Sequence, residues 1–391
     1  MNRRNILLFL YAVSAVIFFE DANLVIIPKV IGGLLVVEYL FGLLNKRYDI
    51  KTSTGIWCLL YLTTYAMISY GFFQYDLPPE AITNIAMILV LSISVFNLVD
   101  DKRAYNSIIL GLTIGVLLGF LRNLIAPQVD DFGRIARFSG TFGNPNYFAL
   151  MINFIIAFIL HNYDKYSKRI KQLILLFVVF SLYEIVMSGS KMGLLMYLIN
   201  VLYLIFYIKP IKSTVGIVSI CVVIFFLSGF LVSAFIADNS VSFDRFQYLQ
   251  NIFSGKDSYS ESDLVRYNLV VKGMDLWMQR PFFGSGYGSF FFLGGFGLYT
   301  HNNLVELLTN TGVVGFLIFH LSLIQLIVNG YRTKINTKKN GLWAIYFSLI
   351  VIVGSFGIVV LSDKLYWLLY FTLLAYFKIE NRSFNKVVTK V

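Results

Sequence analysis

The chain is poor in charge. Of its 391 residues, 14% are Asp, Glu, Lys or Arg and 58% are hydrophobic, whereas soluble domains are roughly a quarter charged. With a mean hydropathy of +0.73, a water-soluble fold is excluded. Cysteine is nearly absent: Cys58 and Cys221 both lie in apolar runs, which excludes a disulfide framework and a thiolate metal site. Histidine is scarce too. Three scattered copies without a His-x-x-x-His pair give no basis for a protein-made metal site or for any cofactor.

What is present is apolar sequence in long runs. Charge-free stretches of about 18–25 residues recur, enough to cross hydrocarbon as helices. Backbone groups in lipid must be satisfied internally, so helices are expected rather than an open sheet. The expectation is an all-α polytopic membrane bundle forming one domain over residues 1–391. About twelve spans are predicted, at 5–19, 23–44, 55–73, 81–99, 105–126, 143–160, 170–187, 191–208, 213–236, 312–330, 341–361 and 364–378. Arg3 and Arg4 precede an apolar run, but Glu20 and Asp21 follow it where a cleavage site would need small residues. The N-terminus therefore reads as a retained first helix.

Basic residues set the orientation. With the N-terminus in the cytoplasm, Arg3, Arg4, Lys46, Arg47, Lys102, Arg103, Lys168, Arg169, Arg332, Lys338, Lys339 and Arg382 all fall inside, and the acids fall mostly outside. Both termini are then cytoplasmic. The basic excess behind the net charge of +11 lies on the cytoplasmic side, facing anionic lipid in an inner membrane, and no nucleic-acid partner is implied. Gly111, Gly115 and Gly119 lie four apart in one span, a small-residue seam for close helix packing.

Polar sequence gathers on the outer side. Residues 127–148 carry Arg134 and Arg137, and the turn SGSK at 188–191 leaves Lys191 at the outer boundary. Glu184, one turn earlier, is an intramembrane acid of the kind that is often functional. The long extracytoplasmic loop, 237–311, is expected to contain an amphipathic helix near 261–278 with Arg266 and Lys272 on it. Ser260 and Asp263 have capping-box spacing, and Leu264, Leu269, Val270, Met274 and Trp277 recur at helical intervals. Such a helix would lie on the membrane surface or pack on the bundle. Gly284, Gly286 and Gly288 form G-x-G-x-G with no preceding strand, which reads as a flexible turn.

The loop re-enters the membrane through Thr300-His301-Asn302-Asn303, where Thr300 or Asn302 would cap the next helix. An imidazole at a helix N-terminus near cations stays neutral. It can then accept a proton as a general base. Guanidinium and ammonium groups on the same membrane face match an anionic lipid diphosphate. His161, His320 and Glu38 have no clustered partners in sequence and carry no site.

Four pieces resemble one family in order: RFSGTFGNPNYFAL at 137–150, SGSKMG at 188–193, Arg266 followed by Trp277, Pro281 and GSGYGSF, and THNNLVELLTNTGVVGFLIF at 300–319. Together they resemble the bacterial O-antigen ligase and polymerase superfamily, multi-pass inner-membrane glycosyltransferases that use polyprenyl-diphosphate-linked glycans. The resemblance implies a GT-C-like fold with its active site facing the periplasm. It implies that His301 is the base for the acceptor hydroxyl and that Arg266 contacts the diphosphate or aids catalysis. Lys191 stands where the family usually has arginine, keeping the charge without the bidentate fork, and Arg137 matches a basic residue near the outer cavity.

The implied reaction is an inverting, metal-independent transfer from an undecaprenyl-diphosphate-linked donor. A polymerase would extend a lipid-linked repeat of O-antigen, capsule or exopolysaccharide. A ligase would deliver finished glycan to lipid A–core or protein. Chain-length regulators and flippases are the implied protein partners. A lipid-linked oligosaccharide flippase or other transporter is the competing class, and it would show pseudo-repeats, paired broken helices and midplane charges.

Overall fold

Helix starts are written in the polar residues between apolar runs. Asn2, Asp101, Asn144, Ser167 and Ser190 each accept a hydrogen bond from the first turn of the helix that follows, satisfying donors that a helix cannot pair internally. A computed structural model of the chain describes residues 2–19, 24–73, 79–126, 136–205, 261–335 and 337–388. Among the described residues the regular elements are helical. They are α1 (Arg3–Ile17), α2 (Ile26–Leu44), α3 (Thr54–Phe73), α4 (Pro79–Leu98), α5 (Lys102–Ile125), α6 (Pro145–His161), α7 (Lys168–Met187), α8 (Lys191–Tyr203), α9 (Glu261–Gln279), the short α10 (Ser289–Leu293), α11 (Asn303–Tyr331), α12 (Thr337–Gly354) and α13 (Lys364–Val388).

Six of these are long and apolar enough to cross a membrane: α2 to α5, α7 and α11. α1 and α6 have 15 and 17 residues, at or below the short end of the usual range for a span, and the end of the span expected at 191–208 lies beyond the described residues. The expected span at 213–236 lies outside the described residues. α6 and α13 are not lipid-facing at all. Residues 148–160 of α6 and 365–377 of α13 are buried almost without a break, as expected of helices apolar all round. Around them, α2, α5 and α7 turn Val30, Phe41, Leu121, Leu124, Leu173 and Leu176 outward.

The glycine seam does what its spacing suggests. α1 packs on α5 so closely that a β-carbon at Gly111 would lie 2.7 Å from the Phe9 carbonyl oxygen, and one at Gly115 would lie 2.7 Å from Val16 Cβ.

The two ends of the bundle differ in chemistry. At one end Arg4 pairs with Asp100 and with Asp101 (2.9 Å), Lys102 with Glu380 (2.9 Å) and Lys339 with Asp164 (3.1 Å). These pairs join α1, α5, α12, α13 and the α6–α7 connection. The opposite end gathers the last turns of α5 and α7 and the first turns of α6, α8, α11 and α13, together with α9 and α10.

Candidate functional site

α11 is the element that builds the site. It is not a continuous helix: Gly312 has φ 64 and ψ −168 within it. The segment after α9 fills the break. Ser285 and Gly286 donate their N–H groups to the Thr309 and Asn310 carbonyls (2.8 and 3.1 Å), while Val313 and Val314 donate to the Pro281 and Phe282 carbonyls (2.8 and 3.1 Å). A β-carbon at Gly312 would lie 2.2 Å from the Phe282 oxygen, so glycine is required there on two counts. The G-x-G-x-G run is therefore not a loose turn. Gly284, Gly286 and Gly288 all take positive φ, and the Ser285 and Gly286 N–H groups between them satisfy the carbonyls that the break exposes. Tyr65 on α3 donates to the Phe283 carbonyl, and the Tyr287 N–H donates to Ser69 Oγ at 3.2 Å.

α9 packs on α11 rather than lying free on a surface. Leu269, Gly273 and Leu276 form its buried face. The Gly273 carbonyl accepts from Thr309 Oγ1 at 3.0 Å. Of the residues expected on that face only Leu269 is fully covered, while Leu264 is exposed. The buried part of the stripe is this narrow contact with α11. Ser260 lies outside the described residues, as does Arg134.

His301 is held just before α11. Its φ is 53, left-handed backbone that non-glycine residues adopt rarely and that clusters at functional sites. Contacts on both sides impose it. The Glu306 carboxylate accepts from the Thr300 N–H at 2.9 Å and from Asn310 Nδ2 at 2.9 Å. Thr300 Oγ1 donates to the Asn302 carbonyl at 2.8 Å. Asn302 caps α11 by accepting from the Leu304 and Val305 N–H groups. Asn303 accepts from the Val360 and Leu361 N–H groups at 3.0 and 3.1 Å.

The half-buried His301 ring lies 4.1 Å from the Tyr299 ring, centre to centre. Its Nδ1 is buried with no hydrogen-bond partner among the described residues, a situation uncommon enough to call for a ligand or water. Burial, and then the nearby Arg266 guanidinium, push its pKa below the ordinary value of 6.5. The ring is thus neutral near pH 7 and able to accept a proton.

A second basic group sits at the same end. Lys191 is the first residue of α8, after Ser190 caps it through the Gly193 N–H (3.1 Å). A cation at a helix N-terminus adds to the positive end of the dipole, which favours an anion. Arg137 clips the SGSK turn to α6: its Nε donates to the Ser188 carbonyl at 2.7 Å and its Nη2 to Asn146 Oδ1 at 3.3 Å. The turn 355–361 reaches neighbours of both segments, Met192 after Lys191 and Asn303 after His301. A β-carbon at Gly357 would lie 3.3 Å from Met192 Cγ, and the Ser355 carbonyl accepts from the Asn303 N–H at 2.7 Å.

Glu184 lies in the last turn of α7, at the same end of the bundle. It is fully buried and accepts from Asn123 Nδ2 at 2.8 Å, and Asn123 Oδ1 accepts from the Gly140 N–H. That chain ties the 137–143 loop to α5 and α7. The other histidines find structural partners, with His161 stacked 3.7 Å from Trp343 and His320 Nδ1 2.7 Å from the Phe316 carbonyl oxygen.

Sequence reasoning passed over Glu306, Asn303, Asn310 and Asn123. Glu306 carried a usable signal: it is a lone acid inside an apolar run. The asparagines are ordinary until their backbone partners are known.

An all-helical membrane protein with a neutral imidazole and cations at one end of its bundle is the class these observations define. Residues 174–320 match the family model described as O-antigen ligase, and the stretch carries the mark of the O-antigen ligase and polymerase superfamily. The match covers SGSK, α9, the glycine run and His301, and excludes the 137–150 segment. No curated protein matches the chain.

Proposed function

We propose that the protein is a membrane glycosyltransferase that polymerises a polysaccharide such as O-antigen, capsule or exopolysaccharide, on the extracytoplasmic side of the inner membrane. The donor is a glycan on undecaprenyl diphosphate and the acceptor is a sugar hydroxyl of a second lipid-linked repeat. The hydroxyl oxygen attacks the anomeric carbon from the face opposite the diphosphate. The new glycosidic bond forms as the carbon–oxygen bond to the diphosphate breaks, inverting the centre. The hydroxyl proton passes to His301, and the diphosphate departs with the bonding electrons.

Charge accumulates on the leaving oxygen in the transition state, so fixed cations lower the barrier there. Arg266 is suited to that role by its place beside His301. Lys191 at the positive end of α8 is suited to the far phosphate. Arg137 and Arg134 are assigned to the same anionic region, Arg137 partly through its grip on the SGSK turn. A positioned base contributes typically about 10²–10⁴-fold.

The observation that carries this reading is the strained His301, whose buried ring nitrogen lacks a partner and whose neighbour is a guanidinium. The test is to express wild type, His301→Ala and Arg266→Ala in a strain lacking its own polymerase, and to resolve the glycan ladder. Wild type is expected to convert single repeats to a ladder, and both variants to leave single repeats. Long lipid-linked glycan that accumulates in the host and reaches its final acceptor only with wild type would assign a ligase instead. Normal ladders from both variants would remove the catalytic roles.

A further inference from the structure

The end of the bundle remote from His301 contains a cavity of about 580 Å³ between the start of α3, the last turns of α11 and the second half of α13. Among the described residues its lining includes Arg332, Lys378 and Arg382 and no Asp or Glu. Some other cations at this end are matched by carboxylates, as Arg4 is by Asp100 and Asp101 and Lys102 is by Glu380. The acid felt by Lys378 is Asp100, which is already bound to Arg4. Two amides in the wall have their carbonyl oxygens occupied: Asn329 Oδ1 accepts from Gln325, and Asn381 Oδ1 accepts from the Lys334 N–H at 2.9 Å. Both amides therefore offer N–H groups. Ser53 and Thr54 lie at the N-terminal end of α3, the end that favours an anion.

The rest of the wall is apolar, with Phe96, Leu374, Phe377 and Trp57. Trp57 is 58% exposed, and a tryptophan at a bundle end is typical of the headgroup level of a bilayer. α3 continues outward-facing and apolar through Leu60 and Met67.

We propose that this cavity binds the phosphate headgroup of an anionic membrane phospholipid, with its acyl chains lying along α3 beyond Trp57. Arginine forks and an ammonium group match phosphate oxygens, and basic pockets between membrane helices on the cytoplasmic side take such headgroups. Inorganic phosphate would meet the same cations, but it would leave the apolar wall and the exposed Trp57 without a partner. The inference does not depend on the reaction assigned to His301.

The test is quenching of Trp57 emission by phosphatidylglycerol with brominated acyl chains, added to the full-length protein in detergent micelles. A Trp57→Phe variant identifies the signal. Brominated phosphatidylcholine is the neutral comparison, and unlabelled inorganic phosphate is the competitor. Phosphatidylglycerol is expected to quench at roughly tenfold or more lower concentration than phosphatidylcholine. The pair Arg332→Gln/Arg382→Gln is expected to abolish that preference. Lys168→Gln/Arg169→Gln, which removes two exposed cations from α7 at the same end, is expected to preserve it. Arg332 and Arg382 are exposed, so the pair should fold, and unchanged helix circular dichroism and elution check this. Equal quenching by the two lipids, a preference that survives in the arginine pair, or full displacement by millimolar inorganic phosphate would each overturn the proposal.

Discussion

At the scale of single residues the site depends on how His301 is held rather than on His301 alone. Glu306 ties the Thr300 N–H and Asn310 together, and that clasp keeps residue 301 in left-handed backbone. Glu306→Gln loses one acceptor oxygen and sets an amide NH₂ in its place, facing either the Thr300 N–H or the Asn310 NH₂. Removing a partner from a buried hydrogen bond costs about 1–3 kcal/mol, here directed at the geometry of the base. Turnover is expected to fall by roughly tenfold or more, with a smaller change in KM, measured in a reconstituted transfer assay. An unchanged kcat would show that the clasp does not position the ring. His301 stood out in the sequence because histidine is scarce in this chain, and Arg266 was singled out through the resemblance of its segment. The clasp was not, because asparagine and threonine serve as caps in most helices and their long-range backbone partners have no local signature.

At the scale of elements, α11 and its break are the determining feature. The 281–286 segment occupies the gap, so loop and helix are one structural unit. Gly312→Ala sets a β-carbon 2.2 Å from the Phe282 oxygen at φ 64. The left-handed conformation alone costs roughly 1–2 kcal/mol for an L-residue, and the clash adds to it. Lower thermal stability in detergent and loss of transfer activity are expected together. Retention of both would mean that the segment does not sit in the break. In the α1–α5 seam, Gly115→Ile is expected to destabilise by about 1–3 kcal/mol through overpacking, read as a fall in melting temperature. The seam was legible because its spacing is a packing rule. The break was not: in sequence, Gly312 and Gly315 look like further small residues in a span, and only backbone dihedrals reveal that one of them interrupts the helix.

At the scale of the whole molecule, the division between a salt-bridged basic end and the end that holds His301 gives the bundle a direction. Hydropathy made the membrane class plain. It does not separate an apolar run buried at the centre, as in α6 and α13, from one facing lipid. The orientation argument predicts an outcome for cysteine labelling in a background lacking Cys58 and Cys221. In right-side-out spheroplasts, Leu298→Cys, exposed on the loop before His301, should react with a membrane-impermeant maleimide. Lys168→Cys should react only after permeabilisation. The reverse pattern would invert the assignment of sides.

The most direct measurement of the central claim is the pH dependence of kcat for glycan transfer in wild type and Arg266→Gln. A base whose pKa is held low by burial and by a neighbouring guanidinium is neutral, and active, down to pH values below the ordinary histidine range. Wild type should therefore lose activity only on the acid side of 6.5. Arg266→Gln, besides turning over more slowly, should lose it at higher pH, because removing the cation lets the pKa rise. An acid limb that is absent, or that stays in place when Arg266 is replaced, would contradict the assignment of His301 as the base governed by Arg266.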